Sequence, residues 1–156
     1  WHRLVGAARE EHWYAKRGAA DTLDGRFDMI SMLTALFMLR LESEQNAEAQ
    51  GVSAAAWLTE LFVEDMEGQM REAGIGDPTV GKMMGRMMAT LGGRAGALRD
   101  ALAQGDDAAL AALVVRNMHL SDEEHGPARM AQGLRALHAR LAQTDFAMLQ
   151  QGEIAA

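Results

Sequence analysis

The 156 residues, 49% of them hydrophobic, are enough to bury about two-thirds of the unfolded surface and to form one domain over residues 1–156. A formal net charge of −7 argues against a nucleic-acid surface, which needs a basic stripe. The absence of cysteine excludes a disulfide framework, a thiolate nucleophile and Cys-ligated zinc.

The apolar content is mostly Ala, Leu and Met with only 5% aromatics, which favours helix because unbranched side chains lose little rotamer freedom there. A first helix is expected over His2 to Lys16, stopping at Arg17-Gly18. Asp21, Thr22 and Asp24 offer N-caps for a second helix that runs to about Glu42. On it Phe27, Ile30, Leu33, Phe37, Met38 and Leu41 form one face, while Met29, Met32, Leu36 and Leu39 spread over the others. A helix apolar nearly all round is central and buried on several sides.

A polar linker, Ser43 to Gln50, leads to a third helix from about Ser53 to Ala73, striped by Trp57, Leu58, Leu61, Phe62, Met66 and Met70. Gly74 and Gly76 are natural stops. A fourth helix follows with Asp77 as N-cap and Pro78 in its first turn. Its apolar residues are Val80, Met83, Met84, Met87, Met88 and Leu91, and Gly92-Gly93 ends or bends it before Arg94 to Leu102. A fifth helix covers Asp107 to about Met118. The last begins at the Ser121…Glu124 capping box or at Pro127 and reaches about Leu149. No segment alternates with period two. The expected fold is all-α, a compact bundle of about six helices around one largely buried central helix. The longest apolar run, Leu33 to Leu39, falls far short of the roughly 18 residues of a membrane span.

The stretch GDPTVGKM (76–83) has the glycine and lysine spacing of a phosphate-binding loop. Such a loop joins a strand to a helix and follows its Lys with a Ser or Thr that reaches Mg²⁺. Here Met83 follows Lys82, an amphipathic helix precedes the loop, and Asp77 puts a negative charge where a phosphate would sit. The stretch therefore reads as a helix–helix junction. Beside it, Lys82 and Arg86 lie one turn apart on the solvent side, as a solvated face or part of a docking surface.

Two polar residues fall on apolar stripes. Asp65 follows Leu58 by seven, Leu61 by four and Phe62 by three, with Gln69 one turn on. A desolvated carboxylate needs a cation, and Arg26 and Arg94 are the candidates. Asn117 follows Leu110, Leu113 and Val114 on their face, and it reads as a cap for a helix end or as part of a site. The His residues at 2, 12, 119, 125 and 138 form no i, i+4 pair and no HExxH pattern, so no metal is expected. Twelve Met fill core gaps, or present, as Met83, Met84, Met87 and Met88, an apolar row to varied protein partners.

Taken in order, AREEHWYAKRGAADTLDGRFDM (8–29), LFVEDMEGQMREAGIGDPTVGKMMGRM (61–87), GRAGALRDAL (93–102) and ALVVRN (112–117) resemble the ubiquinol–cytochrome c chaperone family, assembly factors of the cytochrome bc1 complex. Leu33 stands where the family frequently carries a His. The resemblance implies no catalysis and no cofactor. It implies a chaperone that helps newly made cytochrome b, or another bc1 subunit, to survive and be assembled. A small partner protein, the ribosome exit region and the membrane surface are further candidate contacts, and nucleic acid is not one. The Ala- and Gly-rich style suggests a bacterial, cytoplasmic protein, peripheral at the inner membrane; a eukaryotic member would act in the mitochondrial matrix. The family signature falls on Asp21, Asp24, Gly25 and Arg26, then Asp65, Arg71 and Glu72, then Gly74, Gly76, Asp77, Gly81 and Lys82, then Arg94 and Asn117. Of these, Asp21, Asp24, Arg26, Asp65, Arg71, Glu72, Gly76, Asp77, Lys82, Arg94 and Asn117, together with Met84 and Arg86, are the candidate partner-binding residues, expected to gather where helix ends converge beside an apolar groove. The alternative is a haem or small-cofactor carrier with Met and His as axial ligands.

Overall fold

Two aromatic side chains decide how the chain begins. In the computed structural model, which describes residues 1–43 and 48–154 and the side chains of all of these but 48–53, Trp13 Nε1 donates to the Ala7 carbonyl and the Tyr14 hydroxyl to that of Ala8, each at 2.9 Å. Those bonds satisfy carbonyls that a continuing helix would use. The expected first helix is therefore two, α1 (His2–Ala8) and α2 (Glu11–Ala15).

The segment after α2 turns at Gly18, whose φ of +87° suits glycine. It then pairs with the chain a hundred residues later: Ala20 N–H donates to the His119 carbonyl and Ser121 N–H to that of Gly18, flanking a single Ala19–Leu120 bridge. Thr22 caps α3 (Leu23–Glu42) by accepting from Gly25 N–H at 3.1 Å. Gly25 is required there because a Cβ would collide with the Ala20 carbonyl oxygen.

Helix α3 is the centre. Every residue from Asp28 to Phe37 is buried, and α1, α4 (Glu48–Glu72), α5 (Asp77–Gln104) and α7 (Gly126–Gln143) all pack against it. Each fully buried Leu, Met or Phe contributes about 1.5–3 kcal/mol, so this surround holds the molecule together. Part of the expected 43–50 linker, 44–47, lies outside the described residues, and α4 already starts at Glu48.

Helix α5 runs unbroken through Gly92-Gly93, where a bend or stop was expected. The stripe Leu91, Arg94, Ala95 and Leu98 is buried on both sides of the glycine pair, so packing carries the helix across it. α5 ends at Gly105 in the left-handed conformation, and Asp106 caps α6 (Asp107–Asn117). The last expected helix stops at Gln143, because Asp145 accepts from Ala147 N–H and starts α8 (Phe146–Gln150) instead. The architecture is all-α, with eight helices rather than about six and no strand among the described residues.

Candidate functional site

Between Asp28 and Phe37 α3 has no wet face, so each polar residue there must find a partner inside. Thr34 donates to the Ile30 carbonyl at 2.8 Å and Ser31 to that of Phe27 at 2.9 Å. Asp28 reaches Arg94 of α5, with Oδ1 2.5 Å from Nη2, and both side chains are only about one-twentieth exposed (4% and 6%). Arg94 also donates to Ser31 Oγ and to the Asn117 carbonyl, and its Cζ lies 5.9 Å from the Phe27 ring centroid. The second carboxylate oxygen of Asp28 accepts the His119 N–H at 2.8 Å and contacts His119 Nδ1 at 2.7 Å. That hydrogen bond, with the Asp28 charge behind it, raises the His119 pKa above 6.5.

The cluster fastens α3, α5 and the end of α6 in one knot. It supplies a buried carboxylate whose oxygens are both already bonded, which suits holding helices rather than attacking a substrate.

Apolar spacing points to Asp65 as the buried acid and gives no sign of Asp28. Asp65 is not the buried acid: it is partly exposed and accepts from Gln69 Nε2 at 2.8 Å. The partner of Arg94 is Asp28, and the partner of Arg26 is Asp21, at 2.7 Å on the surface. Asp24 is exposed in the first turn of α3 and adds to the upward pull on His119. Asn117 donates its side chain to the Leu113 carbonyl at 2.9 Å, a helix-end cap, while its own carbonyl serves Arg94.

Arg71 sits at the α4–α5 junction, 3.6 Å from Glu67 and 3.3 Å from Asp77. Gly76 is the N-cap of α5, a place expected for Asp77, and Glu72, Lys82 and Arg86 are exposed. The methionine row turns inward. Met84 is in the core, and Met83, Met87 and Met88 are half-buried against it, so they form no open apolar strip. Neither Met84 nor Arg94 presents its side chain to a partner.

An open apolar surface lies instead on the other side of α4. A hollow of about 680 Å³ is lined by Trp1, Leu4, Phe37, Leu41, Trp57, Leu58, Leu149 and Ile154 among others. A second, of about 670 Å³, continues along α4 past Leu61, Glu64, Asp65, Gly68, Gln69 and Glu72. The two share Trp1, His2 and Trp57. Trp57 is 59% exposed, an unusual state for so large an apolar side chain. Trp1 stands edge-on to Phe62, 6.0 Å between ring centroids. Of the predicted site residues, the furrow collects Asp65 and Glu72. His2 lines it but no methionine does, so no Met–His axial pair is assembled there. Among the described residues no group of three metal-ligating side chains gathers, and no helix is long and apolar enough to cross a membrane.

The arrangement is that of an all-helical protein with an aromatic furrow edged by carboxylates and an internal ion-pair knot. A family model described as "Ubiquinol-cytochrome C chaperone" matches residues 15–156. The crystal structure of the Cbp3 homolog from Brucella abortus is similar at 30% identity and a TM-score of 0.81, over 99% of this chain and 84% of that one. No curated protein matches. The chain belongs to the ubiquinol–cytochrome c chaperone family. Membership gives it a chaperone role in assembly of the cytochrome bc1 complex and implies a non-enzymatic one.

Proposed function

We propose that the chain is a non-catalytic chaperone that holds newly made cytochrome b during assembly of the bc1 complex, shielding an apolar segment of it in the furrow along α4. The exposed Trp57 at the middle of that furrow carries the reading. An aromatic side chain offers about 150–250 Å², so covering the 59% left open removes roughly 90–150 Å² from water. At about 25 cal/mol per Å² this is worth about 2–4 kcal/mol. Holding a client this way needs only apolar burial and no titrating group. The remaining partners implied by the family resemblance, a small accessory protein, the ribosome exit and the membrane surface, attach to this reading as places where the client would be met.

The test is retention of cytochrome b fragments by the immobilised chain. Trp57→Ala should weaken retention by roughly 30–700-fold, the equivalent of that 2–4 kcal/mol, while leaving the helical circular-dichroism signal and melting temperature unchanged. Retention equal to the parent's would place the client elsewhere.

A further inference from the structure

The furrow is chemically polarised along its length. Among the described residues its first half is lined mainly by aromatic and aliphatic side chains, with His2, Arg3, Gln150 and Gln151, and by no carboxylate. Its second half carries Glu64, Asp65 and Glu72, all on α4. Some acids elsewhere on the surface are matched with cations, as Asp21 is with Arg26, Glu42 with Arg99, Glu67 with Arg71 and Asp107 with Arg135, while others such as Glu11, Asp24, Glu60 and Glu123 stand alone among the described residues. Among the described residues none of the three furrow carboxylates has a cationic partner, and the hydrogen bond to Asp65 comes from the neutral Gln69 amide. Between Glu64 and Glu72, Gly68 adds no side chain and has open space in front of it, so the floor there drops to the backbone of α4. From Trp57 to Glu72 the α4 axis advances about 22 Å at 1.5 Å per residue, room for roughly four helical turns of a guest.

We infer that the occupant of this furrow is a helical apolar segment ending in a cluster of Lys or Arg, seated with its apolar length over Trp57 and its cationic end on Glu64, Asp65 and Glu72. The inference rests on the proposed client-holding role and adds a chemistry and a direction to it. Three uncompensated carboxylates beside an apolar trough supply both terms: burial gives affinity, and the charges set orientation and exclude acidic ends. Lys and Arg flanks are what the cytoplasmic ends of membrane-spanning helices present.

The experiment uses the whole chain and four labelled synthetic helices with one common apolar core: Lys₃ at the C-terminal end, Lys₃ at the N-terminal end, Glu₃ at the C-terminal end, and uncharged ends. Binding is read by fluorescence anisotropy. One of the Lys₃ peptides should bind about tenfold more tightly than the uncharged one, and the Glu₃ peptide more weakly, with the spread shrinking as salt is raised. The E64Q/D65N/E72Q variant should bind all four alike, at the affinity the parent has for the uncharged peptide. A photo-crosslinking residue replacing Gly68 should attach to the cationic end, and one replacing Ala54 to the other. If the parent does not distinguish Lys₃ from uncharged ends, or if the triple variant keeps the preference, the inference falls. Cytochrome b fragments run beside the peptides separate the two ideas. Fragments retained by the parent and lost by Trp57→Ala, with no charge preference among peptides, overturn the polarity and leave the client role. Fragments not retained at all overturn both.

Discussion

Replacing Arg94 by Met keeps an unbranched apolar stem and removes the cation from the knot. Asp28, whose side chain is 4% exposed, would then hold a carboxylate with one oxygen unpaired. The Asn117 carbonyl and Ser31 Oγ would lose a donor. Leaving a buried charge without its partner costs about 3–5 kcal/mol, a large part of the roughly 5–15 kcal/mol that stabilises a typical domain. At about 2–4 °C per kcal/mol for a chain of this size, melting should fall by about 6–20 °C. Some relief comes with the change, because Arg94 Nε is itself buried without a partner. Urea denaturation followed by far-ultraviolet circular dichroism gives the free energy directly. The decisive comparison is with D28L/R94M, which removes both charges. Since an apolar pair of similar volume is often no worse than the ion pair, the double variant should recover most of the loss, short of the His119 N–H it strands. A loss below about 1 kcal/mol for Arg94→Met, typical of a surface change, or a double variant no more stable than the single, would refute the knot as a desolvated charge pair.

Gly25→Ala should cost about 3 kcal/mol, the upper end for overpacking, because its Cβ meets the Ala20 backbone oxygen, which cannot move aside as a side chain can. Gly85→Ala, on α5 with nothing within 4 Å of the added carbon, should instead gain up to about 0.5–1 kcal/mol; thermal denaturation of the pair checks both signs. His119 is protonated more readily when folded than when unfolded, so its contribution is complete below pH 6.5 and disappears as pH rises through its raised folded value. Stability measured from pH 5.5 to 8.5 should therefore decline less steeply toward high pH in His119→Ala than in the parent. His138 acts with the opposite sign, its pKa lowered by burial and then by the Arg135 charge, and it cancels in that comparison because both proteins keep it.

The helical class and the central place of α3 could be read from apolar spacing because they depend on local periodicity, whereas the choice of Thr22 over Asp21 and Asp24 as the cap is made only by the structure. The knot and the furrow are legible only in part, for a physical reason. A stripe reports which side of a helix is apolar and says nothing of what covers it. On α4, Leu58, Phe62, Met66 and Met70 face the core, while Trp57, Leu61, Asp65 and Gln69, spaced by four along an adjacent strip, face open space. Read together the two strips look like one face, and Asp65 then looks buried. On α3 the problem is reversed: with apolar residues all round, no stripe marks Asp28 as inside, although the same lack of a wet face implies that it must be bonded. The methionines of α5 were legible as a row but not as an inward one, since only the packing of α5 on α3 and α4 decides which way the row turns. The division of the first expected helix depends on where two aromatic rings swing, and apolar spacing does not encode that.

The clasp between Asp28, Arg94 and His119 spans 66 and 91 residues of sequence. A chain emerging from the ribosome therefore carries Asp28 without its full set of partners until residue 119 has been made, and loop closure over such separations is slow. Helix α3 can form early, yet it cannot settle into its final surroundings before residue 119 arrives. Closure of the clasp consequently waits on a segment made long after α3, and runs from the later part of the sequence back to the earlier one.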